Sequence, residues 1–552
     1  MADSGNHGLR FHERTQRRFL HDREPYAEMA YAKKKLIIEK HMFGDLNNLA
    51  HLLKNIAARH RYGSDITMDG LKRALIEVLA LFPVYRSYLG SGQGRDVDSR
   101  YVEQAVDKAG EKNQGLRNEL DYIRRVLLFQ FEESAAEQES AQWLHFVRRF
   151  QQLSGPLMAK GLEDTLLYVY NRLLSLNEVG GNPERFGVSL ESFHAFNRER
   201  LNKWPHALSA TATHDTKRGE DVRARLNVLS EIPQEWERRV RGWSRINRPK
   251  KRSVRGSKAP DGNDEYFLYQ TLVGALPLAE GDYPGFVRRI KAYLVKAVRE
   301  AKVHTAWLKP DTDYEEAFVG FAEAVLSREG ENSFLEDFLP FARMIAHYGM
   351  INSLAQTLVK ITAPGVPDFY QGTEFWDLSL VDPDNRRPVD YATRQEALRE
   401  ISATAAGEIP GLIARLLDTR EDGRIKLFLM HRALAVRRKH QLLFSHGEYR
   451  PLRVSGAKGE HVIAFARQSG ERAAVIVAPR FPATLTEPEA LPLGEAVWED
   501  TGVLRPEDAG ADWEEAVTGR AVHCGKQFFV GEVLQDFPVA LLTNFRAKSG
   551  IR

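Results

Sequence analysis

The chain has 552 residues, of which 43% are hydrophobic and 28% are charged, and this length predicts about three domains that each bury a core. Its 78 lysine and arginine residues nearly balance 75 aspartate and glutamate residues, so the net charge of +3 does not indicate a nucleic-acid partner. One cysteine excludes an internal disulfide and a two-cysteine metal motif, and no stretch reaches ~18 consecutive apolar residues, so we expect a cytoplasmic protein without a membrane span.

The first region, residues 1–190, is predicted to form a helical subdomain. Apolar side chains recur there at spacings of three and four residues, the pattern of amphipathic helices. The segment 180–183 (GGNP) ends the region with residues typical of turns. The predicted helical segments are 26–60, 68–89, 102–131 and 141–175.

After residue 206 the composition changes to that of a strand. Segment 207–215 (ALSATATHD) is small, apolar and partly β-branched, and it ends in the polar pair His214 and Asp215. This pattern predicts a short buried parallel strand with polar residues at its carboxyl end. The basic segment 245–258 is predicted to be a solvated loop because no aromatic residues lie between its charges. Helical periodicity is found over 220–247, 264–326 and 333–358.

A second strand-like segment, 361–374 (ITAPGVPDFYQGTE), is followed by helical patterns over 390–403 and 424–440. After residue 447 the hydrophobic period changes to two. Short apolar or alternating runs, separated by Gly, Pro and polar turns, predict an antiparallel β-sandwich of about 100 residues.

The densest group of reactive side chains lies at 211–223 (TATHDTKRGEDVR), where seven of thirteen residues are ionisable. In a β/α barrel, side chains at the carboxyl end of a strand form the floor of the active site. A carboxylate such as Asp215 can hold two adjacent sugar hydroxyls while His214 donates to the same ring, and such contacts strengthen as the sugar approaches an oxocarbenium ion. Alternatively, Asp215 caps the helix predicted from residue 220, and spacing alone leaves both hypotheses open.

Segment 362–391 combines strand residues with aromatic rings, acids and arginines. Aromatic rings stack on the C–H faces of pyranoses, while carboxylates and guanidinium groups hold their hydroxyls. The alternative is a long surface loop closed by Arg–Asp pairs, which would add little stability. We favour sugar binding, because so much aromatic and charged surface is unusual in a simple connection. The aromatic residues are Phe369, Tyr370, Phe375 and Trp376.

These segments resemble the α-glucan enzymes of glycoside hydrolase family 13. The THD tripeptide 213–215 stands where that family places a transition-state-stabilising His-Asp at its seventh barrel strand, and 365–374 (GVPDFYQGTE) is similar to its eighth-strand motif. Within the family, the amino-acid sequence is similar to those of the maltooligosyl trehalose synthases over about residues 27–542. The stretches that carry this resemblance are 155–165 (GPLMAKGLEDT), 175–187 (SLNEVGGNPERFG), 213–226 (THDTKRGEDVRARL) and 364–391 (PGVPDFYQGTEFWDLSLVDPDNRRPVDY).

The resemblance implies a mixed α/β fold: a large helical region, the last strands of a β/α barrel with a helical insertion, and a carboxy-terminal antiparallel β-sandwich. The implied domains are a helical subdomain at 1–190, the carboxy-terminal part of the barrel at 191–420, and a helix plus sandwich at 421–552. The helical insertion is expected at about 250–345.

The resemblance also implies an isomerase that converts the reducing-end α-1,4 bond of a maltooligosaccharide into an α,α-1,1 bond, giving a glucan that ends in trehalose. No metal, redox or nucleotide cofactor is implied. Asp215 corresponds to the transition-state stabiliser and His214 to a ligand of the sugar hydroxyls, while Lys217 and Arg218 line the place where the released glucose turns over. Further substrate-binding candidates are Lys160, Glu163, Asp164, Asn177, Glu178, Tyr370, Gln371, Glu374, Asp382, Asp384 and Arg387.

The family's catalytic pair is not evident in the chain. A retaining glycosidase needs a nucleophile and an acid/base about 5–5.5 Å apart, and in this family both precede the His-Asp motif. The nearest match, 115–121 (GLRNELD), lies within helical periodicity and is predicted to be a helix surface. About six of the eight barrel strands would also be missing.

We therefore expect the chain either to function beside a separate amino-terminal half or to be a truncated form of the full enzyme, and to be inactive alone. The alternatives are a family 13 glucan hydrolase and a non-catalytic glucan-binding or scaffolding relic. Loss of reducing ends would identify the isomerase and a gain would identify the hydrolase.

Overall fold

The computed structural model describes residues 24–60, 63–90, 96–130, 137–278 and 283–545. Within them the chain is mixed α/β and divides into two compact units. The helical unit contains the described residues of Asp22–Asn171 and Ala297–Asp311, and the sheet unit contains those of Arg172–Lys296 and Thr312–Arg552. No helix in the described part of the chain is both long enough and apolar enough to cross a membrane.

The helical unit is built on amphipathic helices around one apolar core. Thr67 starts α3 by accepting the backbone N–H of Gly70 at 3.0 Å, which satisfies a donor that the first turn leaves free. The core includes Leu53 of α2, Val78 of α3 and Ile123 of α5. The six helices are α1 Tyr26–Lys40, α2 Phe43–Ala57, α3 Met68–Leu81, α4 Asp96–Lys112, α5 Arg117–Leu127 and α6 Glu137–Met158.

The predicted helical character of this region is confirmed, with differences in detail. The segment 68–89 is helical only over Met68–Leu81, and the described part of the segment 102–131 lies in two helices, Asp96–Lys112 and Arg117–Leu127. The segment 26–60 forms two helices, and the segment 141–175 leaves the α-helix at Met158, continues through a π-turn at Ala159–Glu163 and ends in short 3-10 turns. Asp121, in the sequence that most resembled a nucleophile motif, lies on the exposed side of α5, so its prediction as a helix surface is confirmed.

The sheet unit contains a two-stranded parallel pair, β1 (Leu208–Ala210) and β4 (Val366–Asp368), together with many helices. Leu208 pairs with Val366 and Ala210 with Asp368. The helices before the terminal sheets are α7 Leu190–Lys203, α8 Glu220–Val228, α9 Pro233–Asn247, α10 Gly262–Ala275, α11 Tyr283–Ala301, α12 Thr312–Leu326, α13 Ser333–Thr362, α14 Tyr391–Ala403, α15 Ile409–Asp418, α16 Arg424–Lys439 and α17 Gln441–His446.

Two predictions for this part are wrong. The strand ending in THD is parallel as expected but not buried, since Leu208 is 67% exposed and its neighbour Val366 is 40% exposed. A parallel pair is buried only when further strands and helices cover it, and these two strands pair only with each other among the described residues. The basic segment 245–258 is also not a plain loop, because it contains the hairpin β2 (Arg252–Val254) and β3 (Ser257–Ala259).

The carboxy-terminal region forms two antiparallel sheets, one of six strands in the order β11-β10-β13-β8-β7-β5 and one of three in the order β12-β9-β6. Alternate residues of β8 face two cores: Val475 packs with Val503 and Phe528 of the smaller sheet, and Ile476 packs with helical residues such as Phe428. The strands are β5 Glu448–Pro451, β6 Val454–Ser455, β7 Val462–Ser469, β8 Arg472–Pro479, β9 Gly502–Leu504, β10 Asp512–Glu515, β11 Arg520–His523, β12 Gln527–Phe529 and β13 Ala540–Thr543. Two short helices, α18 Glu495–Trp498 and α19 Val530–Val533, lie between them in sequence.

Candidate functional site

The loop between β1 and α8 carries the two residues that the sequence singled out first. His214 is exposed and Asp215 is partly exposed, and among the described residues neither side chain has a hydrogen-bond or ion-pair partner. The N-cap of α8 is Gly219, which makes no side-chain cap, and Asp215 lies four residues before it. The hypothesis that Asp215 caps this helix is therefore wrong, and its carboxylate is free to accept hydrogen bonds from a ligand.

The backbone of this loop is fixed by hydrogen bonds, although the side chains of His214 and Asp215 are not. The Thr216 hydroxyl donates to the carbonyl of Thr213 at 3.0 Å, which closes a tight turn around His214 and Asp215. Asn385, from the second motif, donates its amide to the carbonyls of Thr213 and His214 at 3.3 and 3.1 Å. The structure thus brings the two sequence motifs together, and the second motif fixes the backbone of the first.

Glu178 anchors the other end of the loop. Its carboxylate accepts the backbone N–H of Lys217 at 2.8 Å and that of Arg218 at 3.4 Å, and the Arg223 guanidinium lies 3.8 Å away. Its neighbour Asn177 is buried. We predicted from the sequence that Asn177 and Glu178 bind sugar. The contacts of Glu178 favour a positioning role instead, because its carboxylate oxygens already accept hydrogen bonds from backbone N–H groups.

Lys217 and Arg218 are both buried, at 3% and 1% exposure. The Arg218 guanidinium donates to the Leu174 carbonyl at 3.4 Å and to the Tyr293 hydroxyl at 3.2 Å, and it lies over the Phe267 ring. We expected Arg218 to line the sugar site, and its geometry does not support direct contact. Its side chain points into the core, and its hydrogen bonds there hold the loop in place.

Three of the six acids in the second motif are paired with basic residues. Glu374 accepts from Arg394 at 3.1 Å, and Asp382 accepts from Lys296 at 2.8 Å. Tyr370 donates its hydroxyl to the Asn385 carbonyl at 3.1 Å. The exposed candidates of this segment are Gln371, which has no partner among the described residues, and Arg387, which lies 2.9 Å from an Asp384 oxygen.

Asp384 forms the most complete of these pairs. The Arg289 guanidinium donates to both of its carboxylate oxygens at 2.8 Å, and the Leu380 N–H donates to one of them at 2.8 Å. Burial alone would raise the pKa of Asp384, but the hydrogen bonds and charge of Arg289 outweigh it and lower that pKa below its ordinary value. The alternative of a loop closed by Arg–Asp pairs thus describes this carboxylate well.

Four buried charged residues, two of them in the first motif, form a cluster that the sequence did not predict. We call Glu220, Asp221, Lys360 and Lys426 the buried charge cluster. Lys426 donates to Glu220 at 2.6 Å and to Asp221 at 2.8 Å, and Lys360 donates to Glu220 at 3.3 Å. Burial opposes ionisation of Glu220, but the two ammonium groups outweigh it and lower its pKa to about 2. The only sequence signal for the lysines is their position inside apolar helical runs, TLVKIT and RIKLFLM.

The remaining candidates belong to the helical unit. Lys160, Glu163 and Asp164 lie at the π-turn that ends α6, a helical irregularity frequent at functional sites. The Lys160 ammonium lies 2.6 Å from an Asp164 oxygen, and the Tyr85 hydroxyl donates to Glu163.

No protein-family model matches the chain. It is 37% identical over 400 residues to a protein described as a putative maltooligosyl trehalose synthase from Mycobacterium tuberculosis, in strains CDC 1551 and H37Rv, and the match covers 72% of this chain and 46% of that protein. The chain therefore spans less than half the length of these curated relatives.

Solved structures give the same resemblance. The structure of maltooligosyltrehalose synthase from Arthrobacter ramosus matches with a TM-score of 0.78 and 31% identity, over 99% of this chain and 62% of that one. A hypothetical maltooligosyl trehalose synthase from Sulfolobus tokodaii matches with a TM-score of 0.70 and 26% identity, over 97% and 60%. The resemblance that the sequence motifs indicated is confirmed.

Proposed function

We propose that this chain, as a relative of the maltooligosyl trehalose synthases, supplies the carboxy-terminal part of an enzyme that converts the reducing-end α-1,4 bond of a maltooligosaccharide into an α,α-1,1 bond. The observation that carries the proposal is the pair His214 and Asp215. Both side chains lack a protein partner among the described residues, yet the backbone that presents them is fixed by Glu178 and Asn385. A fixed backbone that presents free polar groups is the arrangement expected of a ligand site.

In the proposed reaction, Asp215 and His214 act on the glucosyl residue at the bond that is broken. The Asp215 carboxylate accepts two neighbouring sugar hydroxyls, and the His214 imidazole hydrogen-bonds to the same ring. As the ring flattens, positive charge develops near its anomeric carbon, so the negative carboxylate stabilises the transition state more than the ground state. The bond between the anomeric carbon and O4 breaks as a nucleophile supplied by the rest of the enzyme bonds to that carbon and an acid/base protonates the departing O4. The released glucose turns within the site, and its anomeric hydroxyl attacks the same carbon, which breaks the bond to the nucleophile and returns a proton to the acid/base.

The proposal places β1 and β4 as the last two strands of a β/α barrel. Exposed Leu208 and Val366 support this, because such apolar side chains are normally covered by neighbouring strands and helices. We infer that the nucleophile and the acid/base come from protein outside the described residues, on a separate amino-terminal half or elsewhere in a longer chain. We also infer that the two terminal sheets pack as a β-sandwich, since they share a core. A cytoplasmic location fits the single buried cysteine.

The test combines this chain with a matching amino-terminal half from a relative and follows the reducing ends of maltopentaose. We expect reducing ends to disappear only when both parts are present and to persist with Asp215→Ala. A gain of reducing ends would indicate a hydrolase instead. Binding of maltopentaose with no turnover by any combination would indicate a glucan-binding protein, and turnover by this chain alone would contradict the proposed division of the site.

A further inference from the structure

The buried charge cluster includes two residues of the first motif, Glu220 and Asp221, and also contacts the second motif. Its side chains are 0 to 3% exposed, and its two carboxylates and two ammonium groups cancel in charge. Replacing a buried ion pair by apolar side chains of similar size is often neutral for stability. Stability alone therefore does not explain four buried charges at this place.

Lys360 connects the cluster to the end of β1. Its ammonium donates to the Thr211 hydroxyl at 2.7 Å, directly after β1 and four residues before Asp215. The same ammonium lies 4.0 Å from the centre of the Phe369 ring, which directly follows β4. Thr211 also donates to Glu220, and its carbonyl accepts from Arg223. One buried ammonium thus contacts the first residue after each parallel strand.

The other half of the cluster holds the second motif. Lys426 donates to the Phe375 carbonyl at 3.4 Å, and Asp221 accepts the Asp377 N–H at 2.6 Å. A shift of any cluster member would therefore move the end of β1 relative to residues 369–377. Directional hydrogen bonds to charged groups restrict such a shift more strongly than apolar packing does.

We infer that Lys360 is a positioning residue, which fixes the end of β1 against the segment after β4 and so sets the direction in which His214 and Asp215 face the sugar. This inference rests on the proposed function for its catalytic consequence. Its structural part concerns the chain alone and is tested separately.

The first experiment compares two double variants. Lys360→Met with Glu220→Gln removes the bond to Thr211 but leaves Lys426 paired with Asp221, so no net charge stays buried. Lys251→Met with Glu265→Gln is the matched control, because this ion pair, at 2.6 Å with side chains 10% and 2% exposed, is also largely shielded from solvent and contacts neither motif. Amide hydrogen exchange is followed by mass spectrometry in peptides that cover 207–219 and 366–380, and urea unfolding gives the stability of each variant.

We expect exchange in the peptide covering 207–219 to become about tenfold faster in the Lys360 variant and to stay unchanged in the control, because a hydrogen bond to a charged group is lost there. Thr211→Val serves as a second variant, since it removes only the hydroxyl and leaves every charge in place. It should give the same local change. Wild-type exchange rates at 207–219 in both Lys360 and Thr211 variants would overturn the inference.

The second experiment measures turnover of maltopentaose after addition of the amino-terminal half. We expect kcat to fall about tenfold in both variants with KM little changed, because the groups that meet the transition state are misaligned while the rest of the binding surface is intact. A fall in kcat that merely follows unfolding, and that the control shares, would contradict a positioning role. If the wild-type mixture does not isomerise maltopentaose, the proposed function fails, while hydrogen exchange still decides whether Lys360 positions the loop.

Discussion

The two motifs of the sheet unit use their charged residues in opposite ways. In the loop 211–219 the side chains of His214 and Asp215 have no partner among the described residues, while neighbouring backbone groups are held by Glu178 and Asn385. In the segment 371–387 three of the four carboxylates, those of Glu374, Asp382 and Asp384, are engaged by arginine or lysine residues from helices. Both segments are rich in charged residues, so the presence of charge alone does not locate a ligand site.

The difference follows from how a carboxylate uses its lone pairs. A carboxylate such as Asp384, held by a bidentate guanidinium, a backbone N–H and a second arginine, has its acceptor positions filled and contributes to stability. One without a partner keeps these positions for a ligand, and the surrounding structure holds it in place. We therefore expect substitutions in the first loop to affect turnover and substitutions in the second segment to affect folding.

The largest expected effect is that of Asp215→Asn on turnover. Loss of the charge that meets the developing oxocarbenium ion should lower isomerisation of maltopentaose by the completed enzyme about 10³-fold. The free energy of unfolding of the chain, measured in urea, should not change, because no protein group loses a partner. A marked loss of stability would place Asp215 among the structural carboxylates and remove the contrast between the two motifs.

The support shared by both motifs is tested by Lys426→Met. This change leaves Glu220 and Asp221 buried with one ammonium group fewer, and we expect a loss of about 3 kcal/mol in the free energy of unfolding in urea. Adding Asp221→Asn should recover part of that loss, because one uncompensated charge is removed with it. A single variant as stable as the wild type would show that the cluster is not required for folding.

Asp384→Asn tests whether a paired carboxylate of the second segment contributes to stability and not to turnover. It weakens the bidentate contact with Arg289, so we expect a loss of about 2 kcal/mol at neutral pH and a much smaller effect on turnover than that of Asp215→Asn. The exposed variant Arg387→Ala serves as the control and should change stability by less than about 0.5 kcal/mol.

The Asp384 effect should also depend on pH. Its pKa is lowered in the folded state, so its stabilising contribution is complete above the ordinary pKa of an aspartate and is lost as the pH falls through the lowered value. The difference in stability between wild type and Asp384→Asn should therefore shrink steadily below about pH 4. A difference that stays constant during acid titration would contradict the assigned ion pair.

The smallest expected effect is that of Gln371→Ala, the one change in the second segment aimed at binding. Gln371 is exposed and has no partner in the part of the chain that the structure describes, so stability should not change. Loss of one neutral hydrogen bond to sugar should weaken binding of maltopentaose about threefold, measured by calorimetry on the completed enzyme. Unchanged affinity would remove Gln371 from the candidate site.

Features that depend on neighbours in sequence were predicted well. The three- and four-residue spacing gave the helices of the helical unit, and the period of two gave β7 and β8. The motif containing His214 and Asp215 was found because seven ionisable residues follow a short strand. Each of these signals is contained in one short segment, so no knowledge of the fold is needed to detect it.

Features that depend on distant partners were not predicted. Arg289 and Asp384 are separated by 95 positions, and Lys426 lies 206 positions from Glu220, so no local pattern pairs them. The same holds for Arg218, which shares its charged motif with Lys217 but turns into a core formed with Tyr293 and Phe267. The exposure of Leu208 was missed because strand composition predicts burial without regard to which strands are present beside it.

The amino-acid sequence by itself determined most of the helices, the main strands of the terminal sheet, the two polar motifs and the resemblance that they carry, because each is written in consecutive residues. Tertiary structure alone decided which of the many charged side chains are free. A carboxylate is available to a ligand only if no basic group reaches it, and that depends on the packing of helices that are far apart in the chain. Asp215 and Asp384 have the same side chain, and the folded surroundings leave one open and fill the other.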